Sequence, residues 1–102
     1  MEESFKQVDI HEAKEMIDKG DVTLIDIRDQ QSFTAGHIEN AILVDDENLN
    51  TFLEKTDKNK PLICYCYHGL NSQSAVMFLQ QKGFKEVYSI AGGFEEYKQV
   101  YG

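Results

Sequence analysis

Residues 61–83 read PLICYCYHGLNSQSAVMFLQQKG, and three structural signals follow one another in this stretch. PLICYC is a short apolar run typical of a buried strand, and YHGLNS is a short polar loop. Residues 72–82 then have the apolar content of a largely buried helix, which Gly83 ends. A strand that passes through a short loop into a helix is the opening of a β–α–β unit. The stretch therefore predicts a parallel sheet.

The same alternation of strand and helix extends to both sides of this stretch. Asp9 opens a helix with Glu12 as the partner in a capping box, and Gly20 closes it. Alternation of this kind predicts an α/β fold with a five-stranded, mainly parallel sheet and helices on both faces, in a single domain of residues 1–102. Strands are predicted at 5–8, 22–27, 41–44, 61–66 and 86–90, and helices at 9–20, 30–35, from Asp45 or Asp46 to 53, 72–82 and from 93 onward.

Composition and charge exclude several classes of function. The 102 residues carry a formal charge of −8 and ten scattered basic residues, whereas nucleic-acid binding needs clustered Lys and Arg. No apolar run approaches the roughly 18 residues of a membrane helix, and the acidic start MEESFKQVDI is unlike a signal peptide. Two cysteines this close together do not form a disulfide framework. We therefore expect a cytoplasmic protein without nucleic-acid or membrane partners.

The two cysteines, Cys64 and Cys66, occupy different positions in the predicted strand. Cys64 falls inside the strand between Ile63 and Tyr65, where a buried thiol behaves as a small hydrophobic side chain. Cys66 ends the strand, and in parallel sheets ligands bind beyond the carboxyl ends of the strands. Cys66 is therefore the candidate nucleophile.

The loop after Cys66 has features that favour a thiolate. A loop of this length can turn several backbone N–H groups toward one centre, and the following helix adds the positive end of its dipole. Both effects lower the pKa of a cysteine thiol. Gly69 suits a loop position that needs a positive φ or a close approach of a ligand.

Other cysteine chemistries fit this stretch less well. Phosphatases and some arsenate reductases use Cys-x5-Arg, but Ser72 stands at the arginine position and the loop holds no Lys or Arg. Thioredoxin-type exchange uses Cys-x-x-Cys, whereas the spacing here is Cys-x-Cys. Zinc ligands at Cys64, Cys66, His68 and His37 would have no recognised spacing.

Several neighbouring residues have two interpretations each. His68 could assist an anion as a cation or simply shape the mouth of the loop. Ser72 could hydrogen-bond the sulfur or cap the following helix, and we expect the cap. Arg28 could reach the site together with Asp26 or Asp29, but we expect an ion pair with a structural role. The aromatic residues expected to wall the pocket are Tyr65, Tyr67 and Phe94.

Three stretches also carry recognisable motifs. They are LIDIRDQQSFTAGHIENAI at 24–42, CYHGLNSQSA at 66–75 and SIAGGFEEY at 89–97. The first resembles a D-x-R…F-x-x-G-H-I-x-x-A segment, the second a Cys-Tyr-His-Gly active-site loop, and the third a G-G-[FW]-x-x-[WY] signature. Together, in this order, they resemble the single-domain rhodanese (thiosulfate sulfurtransferase) family of the GlpE type along nearly the whole chain.

The resemblance implies the rhodanese three-layer fold and a sulfurtransferase activity. Sulfane sulfur would pass from thiosulfate to a thiophilic acceptor, either cyanide, a thiol or thioredoxin, through a persulfide on Cys66. No metal or organic cofactor is implied. Arg28 is a candidate secondary residue of the site. The residues implied to bind the substrate are Tyr67, His68, Gly69, Leu70, Asn71 and Ser72.

One departure from the family pattern affects the substrate. Many rhodaneses have Arg or Lys in or just after the loop, where this chain has Leu70, Asn71 and Gln73. Thiosulfate is therefore expected to bind weakly, and another sulfur donor is an alternative. A second alternative is a catalytically weak, rhodanese-like protein-binding module, against which the intact Cys66 and the glycine-containing loop argue.

Overall fold

The computed structural model describes residues 6–69 and 71–102, with no account of the Asn71 side chain. Five strands form one sheet in the order β1-β5-β4-β2-β3, and every neighbouring pair is parallel. The predicted α/β fold with a five-stranded parallel sheet is confirmed. The elements are β1 (Lys6–Val8), α1 (Ile10–Lys19), β2 (Thr23–Asp26), α2 (Gln30–Ala35), β3 (Ile42–Leu43), α3 (Leu49–Lys55), β4 (Leu62–Tyr65), α4 (Asn71–Gln81), β5 (Val87–Ile90) and α5 (Gly93–Tyr101).

The sheet has a hydrophobic core on each face, because successive strand residues point in opposite directions. In β4, Ile63 and Tyr65 belong to one core, which also contains Ile10 of α1 and Phe94 of α5. Leu62 and Cys64 belong to the other core, with α3 and α4. All four residues of β4 are fully buried, as expected for a central strand covered on both sides.

The ends of the elements differ from the sequence prediction in several places. Strand β1 begins at Lys6, and the predicted Phe5 lies outside the described residues. The expected cap of α3 at Asp45 or Asp46 is wrong, because the helix starts at Leu49. The Asp45 carboxylate instead accepts hydrogen bonds from the backbone N–H groups of residues 47 and 48 and closes a turn.

The predicted capping box of α1 is confirmed. The Asp9 carboxylate accepts from the Glu12 amide at 2.8 Å, and the Glu12 carboxylate accepts from the Asp9 amide at 3.0 Å. Among the described helices, none is long and apolar enough to cross a lipid bilayer.

A buried ion pair fixes the end of β2 next to β4. The Asp26 side chain is fully buried and that of Arg28 is 7% exposed, with 2.7 Å between Arg28 Nη2 and Asp26 Oδ2. Arg28 Nη2 also donates to the Gly36 carbonyl at 2.6 Å, and the guanidinium lies 4.4 Å from the centre of the Phe94 ring. Burial opposes the charge of Arg28, but the hydrogen bonds and charge of Asp26 outweigh it and raise the Arg28 pKa.

Replacing Asp26 by Asn tests how much the fold depends on this pair. We expect Asp26→Asn to lower the free energy of unfolding by about 3 kcal/mol, because it leaves a buried arginine without its counter-charge. Urea unfolding gives this value directly. Asp18→Asn, which breaks the exposed Lys14–Asp18 pair, is the control and should change stability little. Equal effects of the two variants would contradict a special role for the buried pair.

Candidate active site

Cys66 is the first residue after β4 and lies at the carboxyl edge of the sheet. Cys66 is 4% exposed, so its thiol is nearly enclosed. The neighbouring strand β2 stays in register to its end, where the Ile27 amide donates to the Tyr65 carbonyl at 3.1 Å. Cys66 therefore sits at the kind of strand end where α/β proteins bind ligands.

Backbone N–H groups on both sides of residue 70 face the Cys66 sulfur. The Gly69 amide lies 3.1 Å and the Ser72 amide 3.4 Å from Sγ. Gly69 has φ +91°, a conformation that glycine adopts without steric cost. Amide donors of this kind favour a negative charge on the sulfur, because they stabilise the thiolate more than the thiol.

The Cys66 sulfur lies at the amino end of α4. The helix begins at Asn71, so Ser72 is inside its first turn and the expected capping role of Ser72 is wrong. The sulfur itself accepts the hydrogen bond from the Ser72 amide, one of the four amides that a helix leaves unpaired at its start. The Ser72 hydroxyl lies 3.7 Å from Sγ and 2.6 Å from the Ser89 hydroxyl.

Cys64 occupies a different environment. It is 0% exposed and packs with Ile25 and Val76 in the core on the α4 side. Burial, followed by the charges of Cys66 and Asp26, raises the pKa of the Cys64 thiol far above its ordinary value. Cys64 is therefore a core side chain and a poor nucleophile.

The first turn of α5 contacts the backbone of the cysteine loop. The Phe94 amide donates to the Cys66 carbonyl and the Glu95 amide to the Tyr67 carbonyl, both at 2.9 Å. The two backbones approach so closely that a Cβ on Gly93 would lie 2.5 Å from the Tyr67 carbonyl oxygen. Gly93 also has φ +60°. Gly93 is thus required by its contact with the cysteine loop.

The mouth of the loop carries exposed polar and aromatic groups. Tyr67 is 40% exposed and His68 is also exposed. A hydrogen bond from Tyr67, with smaller contributions from the charges of Lys98 and His68, lowers the pKa of Glu95. Lys98 Nζ lies 5.9 Å from the centre of the Tyr67 ring. Lys98 and His68 are thus the basic side chains beside the mouth within the described part of the chain.

Arg28, the only arginine of the chain, forms the expected ion pair with Asp26. It also borders a groove of about 260 Å³ together with Tyr67, Phe94 and Lys98. Two of the three aromatic residues expected at the pocket, Tyr67 and Phe94, line this groove. The third expectation is wrong, because Tyr65 is fully buried and its hydroxyl accepts from the Ile38 amide at 3.1 Å.

A larger apolar cavity lies on the other side of the sheet. Its volume is about 420 Å³, and Ile25, Ile27, Ala75 and Phe78 contribute to its wall. Ile27 is the residue after β2, so the cavity extends to the carboxyl edge of the sheet. Its rim includes carboxylates, those of Asp29, Asp45 and Asp46.

The structure brings together most of the residues singled out in the sequence. Tyr67, His68 and Gly69 lie in the loop with Cys66, and Leu70 falls outside the described residues. The contacts of Ser89, Gly93 and Lys98 are not predicted by the sequence, although Gly93 belongs to the third motif. Ser89 gave one weak signal, a polar residue in an otherwise buried strand; the contacts of the other two arise only when α5 packs on the loop.

Comparison with known proteins identifies the family of this site. Residues 9–100 match the family of rhodanese-like domains. This chain belongs to the rhodanese-like family. The resemblance seen in the sequence motifs is therefore confirmed.

Curated relatives and a solved structure agree with this assignment. The chain is 47% identical over 94 residues to a protein of Coxiella burnetii named thiosulfate sulfurtransferase GlpE, with 92% of this chain and 88% of the relative covered. It is 40% identical over 97 residues to the protein of that name in Shewanella oneidensis, with 95% and 96% covered. The rhodanese-like domain of an Anabaena protein superposes with a TM-score of 0.84 at 28% identity and covers 100% of this chain and 77% of that one.

Replacing Gly93 by Ala tests the contact between α5 and the loop. We expect a loss of at least about 2 kcal/mol of stability, because a Cβ adds both backbone strain and overlap with two loop carbonyls. Alkylation of Cys66 should slow as the loop moves. Chemical unfolding and mass spectrometry of the Cys66 peptide measure the two effects.

The matched control is Gly20→Ala. Gly20 also has a positive φ, +82°, but a Cβ there would meet nothing within 4 Å. This variant should lose about 1 kcal/mol and alkylate Cys66 at the normal rate. If the two variants behaved alike, close packing at Gly93 would be refuted as the cause.

Proposed function

We propose that this chain is a thiosulfate sulfurtransferase in which Cys66 carries the transferred sulfur. The Cys66 thiolate attacks the outer sulfur of thiosulfate, a new S–S bond forms, and sulfite leaves with the electron pair of the bond that breaks. The product is a Cys66 persulfide. A nucleophilic acceptor then attacks the outer sulfur, and Cys66 leaves as a thiolate ready for another cycle.

One observation carries this proposal: a nearly buried sulfur with two amide donors at 3.1 and 3.4 Å, at the end of a parallel strand in a rhodanese-like chain. The amides favour negative charge on the sulfur, which is the form that attacks the donor and the form that leaves at the end. The names of the curated relatives support thiosulfate as the donor.

The binding of the donor is proposed to rest on the loop, residues 67–72, rather than on a clamp of basic side chains. The guanidinium of Arg28 is occupied by Asp26 and the Gly36 carbonyl, which leaves it poorly placed to hold a second anion. The remaining positive groups at the mouth are Lys98 and, when protonated, His68. A chain of charge −8 repels a dianion, so thiosulfate should bind weakly.

The acceptor is proposed to be a thiol, with cyanide as a laboratory substitute and thioredoxin as one protein candidate. The apolar cavity next to Ile27 offers space at the carboxyl edge of the sheet for the acceptor to approach. The reaction also fits the cytoplasm, where thiols stay reduced and can discharge a persulfide.

Sulfur transfer from thiosulfate to cyanide, followed as thiocyanate, tests the proposal. We expect turnover in the wild type, and a loss of at least about a thousandfold in Cys66→Ala, because the covalent intermediate cannot form. Cys64→Ala is the matched control, since it removes a thiol two residues away that is buried in the core. It should keep most of the activity per folded molecule.

Two outcomes would contradict the proposal. Activity that survives in Cys66→Ala would place the reaction on another group. A folded wild type that turns over neither thiosulfate nor another sulfane donor would favour the alternative of a protein-binding module.

A further inference from the structure

Two buried serines form a hydrogen-bonded pair behind the Cys66 sulfur. Ser72 Oγ and Ser89 Oγ are 2.6 Å apart, and Ser72 Oγ is 3.7 Å from Cys66 Sγ. Ser72 and Ser89 are both 0% exposed. Ser89 belongs to β5, the next strand along the chain and the neighbour of β4 in the sheet, and it pairs in register with Cys64. Three polar side chains thus form one row inside the fold.

The direction of the hydrogen bonds in this row depends on the charge of the sulfur. With a neutral thiol, Cys66 S–H donates to Ser72 Oγ and Ser72 O–H donates to Ser89 Oγ, which leaves the Ser89 proton outside the row. With a thiolate, Ser89 O–H donates to Ser72 Oγ and Ser72 O–H donates to the sulfur. Every proton of the row then has an acceptor within the row.

Ser72 Oγ is the one hydrogen-bond partner of the Ser89 hydroxyl within the described part of the chain. An unsatisfied hydroxyl is costly in a buried position, so the row is better satisfied when Cys66 is ionised. We propose that Ser89 is a positioning residue that turns the Ser72 hydroxyl proton toward the Cys66 sulfur and so favours the thiolate.

This role rests on the proposed function, because it supports the same sulfur at two moments of the cycle. The thiolate is the attacking group when the donor binds and the leaving group when the acceptor takes the outer sulfur. In the persulfide, the negative charge lies on the outer sulfur and Sγ carries no proton, so Sγ can only accept a hydrogen bond and the Ser72 hydroxyl can keep donating to it. Ser89 should therefore affect both half-reactions while touching neither substrate.

The test is the pH dependence of Cys66 alkylation by iodoacetamide, measured without any sulfur donor. In Ser89→Ala, the midpoint of the profile should move to higher pH, and alkylation below the midpoint should slow about threefold to tenfold, as expected for weakening one hydrogen bond to a charged group. Ser74→Ala, an exposed serine on α4, is the control and should match the wild type.

None of these variants replaces a titratable residue near the row. A shift between variants therefore reports the serine pair and not the surrounding charges. The groups on the elements around the sulfur are Cys64 in β4, Tyr67 and His68 in the loop, Asp26 and Arg28 at the end of β2, and Glu95 and Lys98 in α5.

A double-mutant cycle separates positioning from a merely structural role. If Ser89 acts through Ser72, adding Ser89→Ala to Ser72→Ala should cause little further shift in the midpoint. Ser89→Thr, which keeps the hydroxyl, should restore the wild-type profile provided that unfolding curves show an intact fold. An unchanged profile in Ser89→Ala, or an equal shift in the Ser72→Ala background, would overturn the proposal.

The failure of this inference is distinguishable from the failure of the proposed function. Alkylation requires no sulfur transfer, so the Ser89 effect can be refuted in an enzyme that turns over normally. Conversely, the effect can be present in a protein that transfers no sulfur at all.

Discussion

Hydrogen bonding from backbone amides to the nearly enclosed Cys66 sulfur is the interaction on which the rest of the site depends. Cys66 is 4% exposed, and a charge in such a place is costly unless hydrogen-bond donors replace the lost water. The Gly69 and Ser72 amides are such donors. They face the sulfur because β4 ends just before Cys66 and places this residue beside the start of α4.

Each of the neighbouring elements contributes to this arrangement. Strand β2 ends beside β4 with a buried ion pair, whose guanidinium also packs over Phe94 of α5. Helix α5 in turn donates two amide hydrogen bonds to the carbonyls of Cys66 and Tyr67. The first and third family motifs, which are far apart in the sequence, thus contact each other, and the third also contacts the loop that the second motif forms.

Much of this could be predicted from the sequence, because periodicity and local spacing carry it. The strand before Cys66, the helix after it and the capping box at Asp9 all follow from short-range patterns. A serine near a helix start usually caps the helix, so the sequence predicts a cap at Ser72, but the cysteine sulfur accepts the hydrogen bond from the Ser72 amide. Contacts made by Ser89 and Gly93 depend on how distant elements pack, and no local pattern contains that information.

In the proposed reaction, Cys66 becomes the carrier of a single sulfur atom. The most direct measurement is the intact mass of the protein after incubation with thiosulfate, followed by peptide mapping and then by addition of cyanide. We expect a gain of one sulfur atom on the Cys66 peptide, none on Cys64 when the two are resolved by fragmentation, and complete loss with cyanide. A protein that turns over thiosulfate yet never carries sulfur on Cys66, or carries it on Cys64, would contradict it.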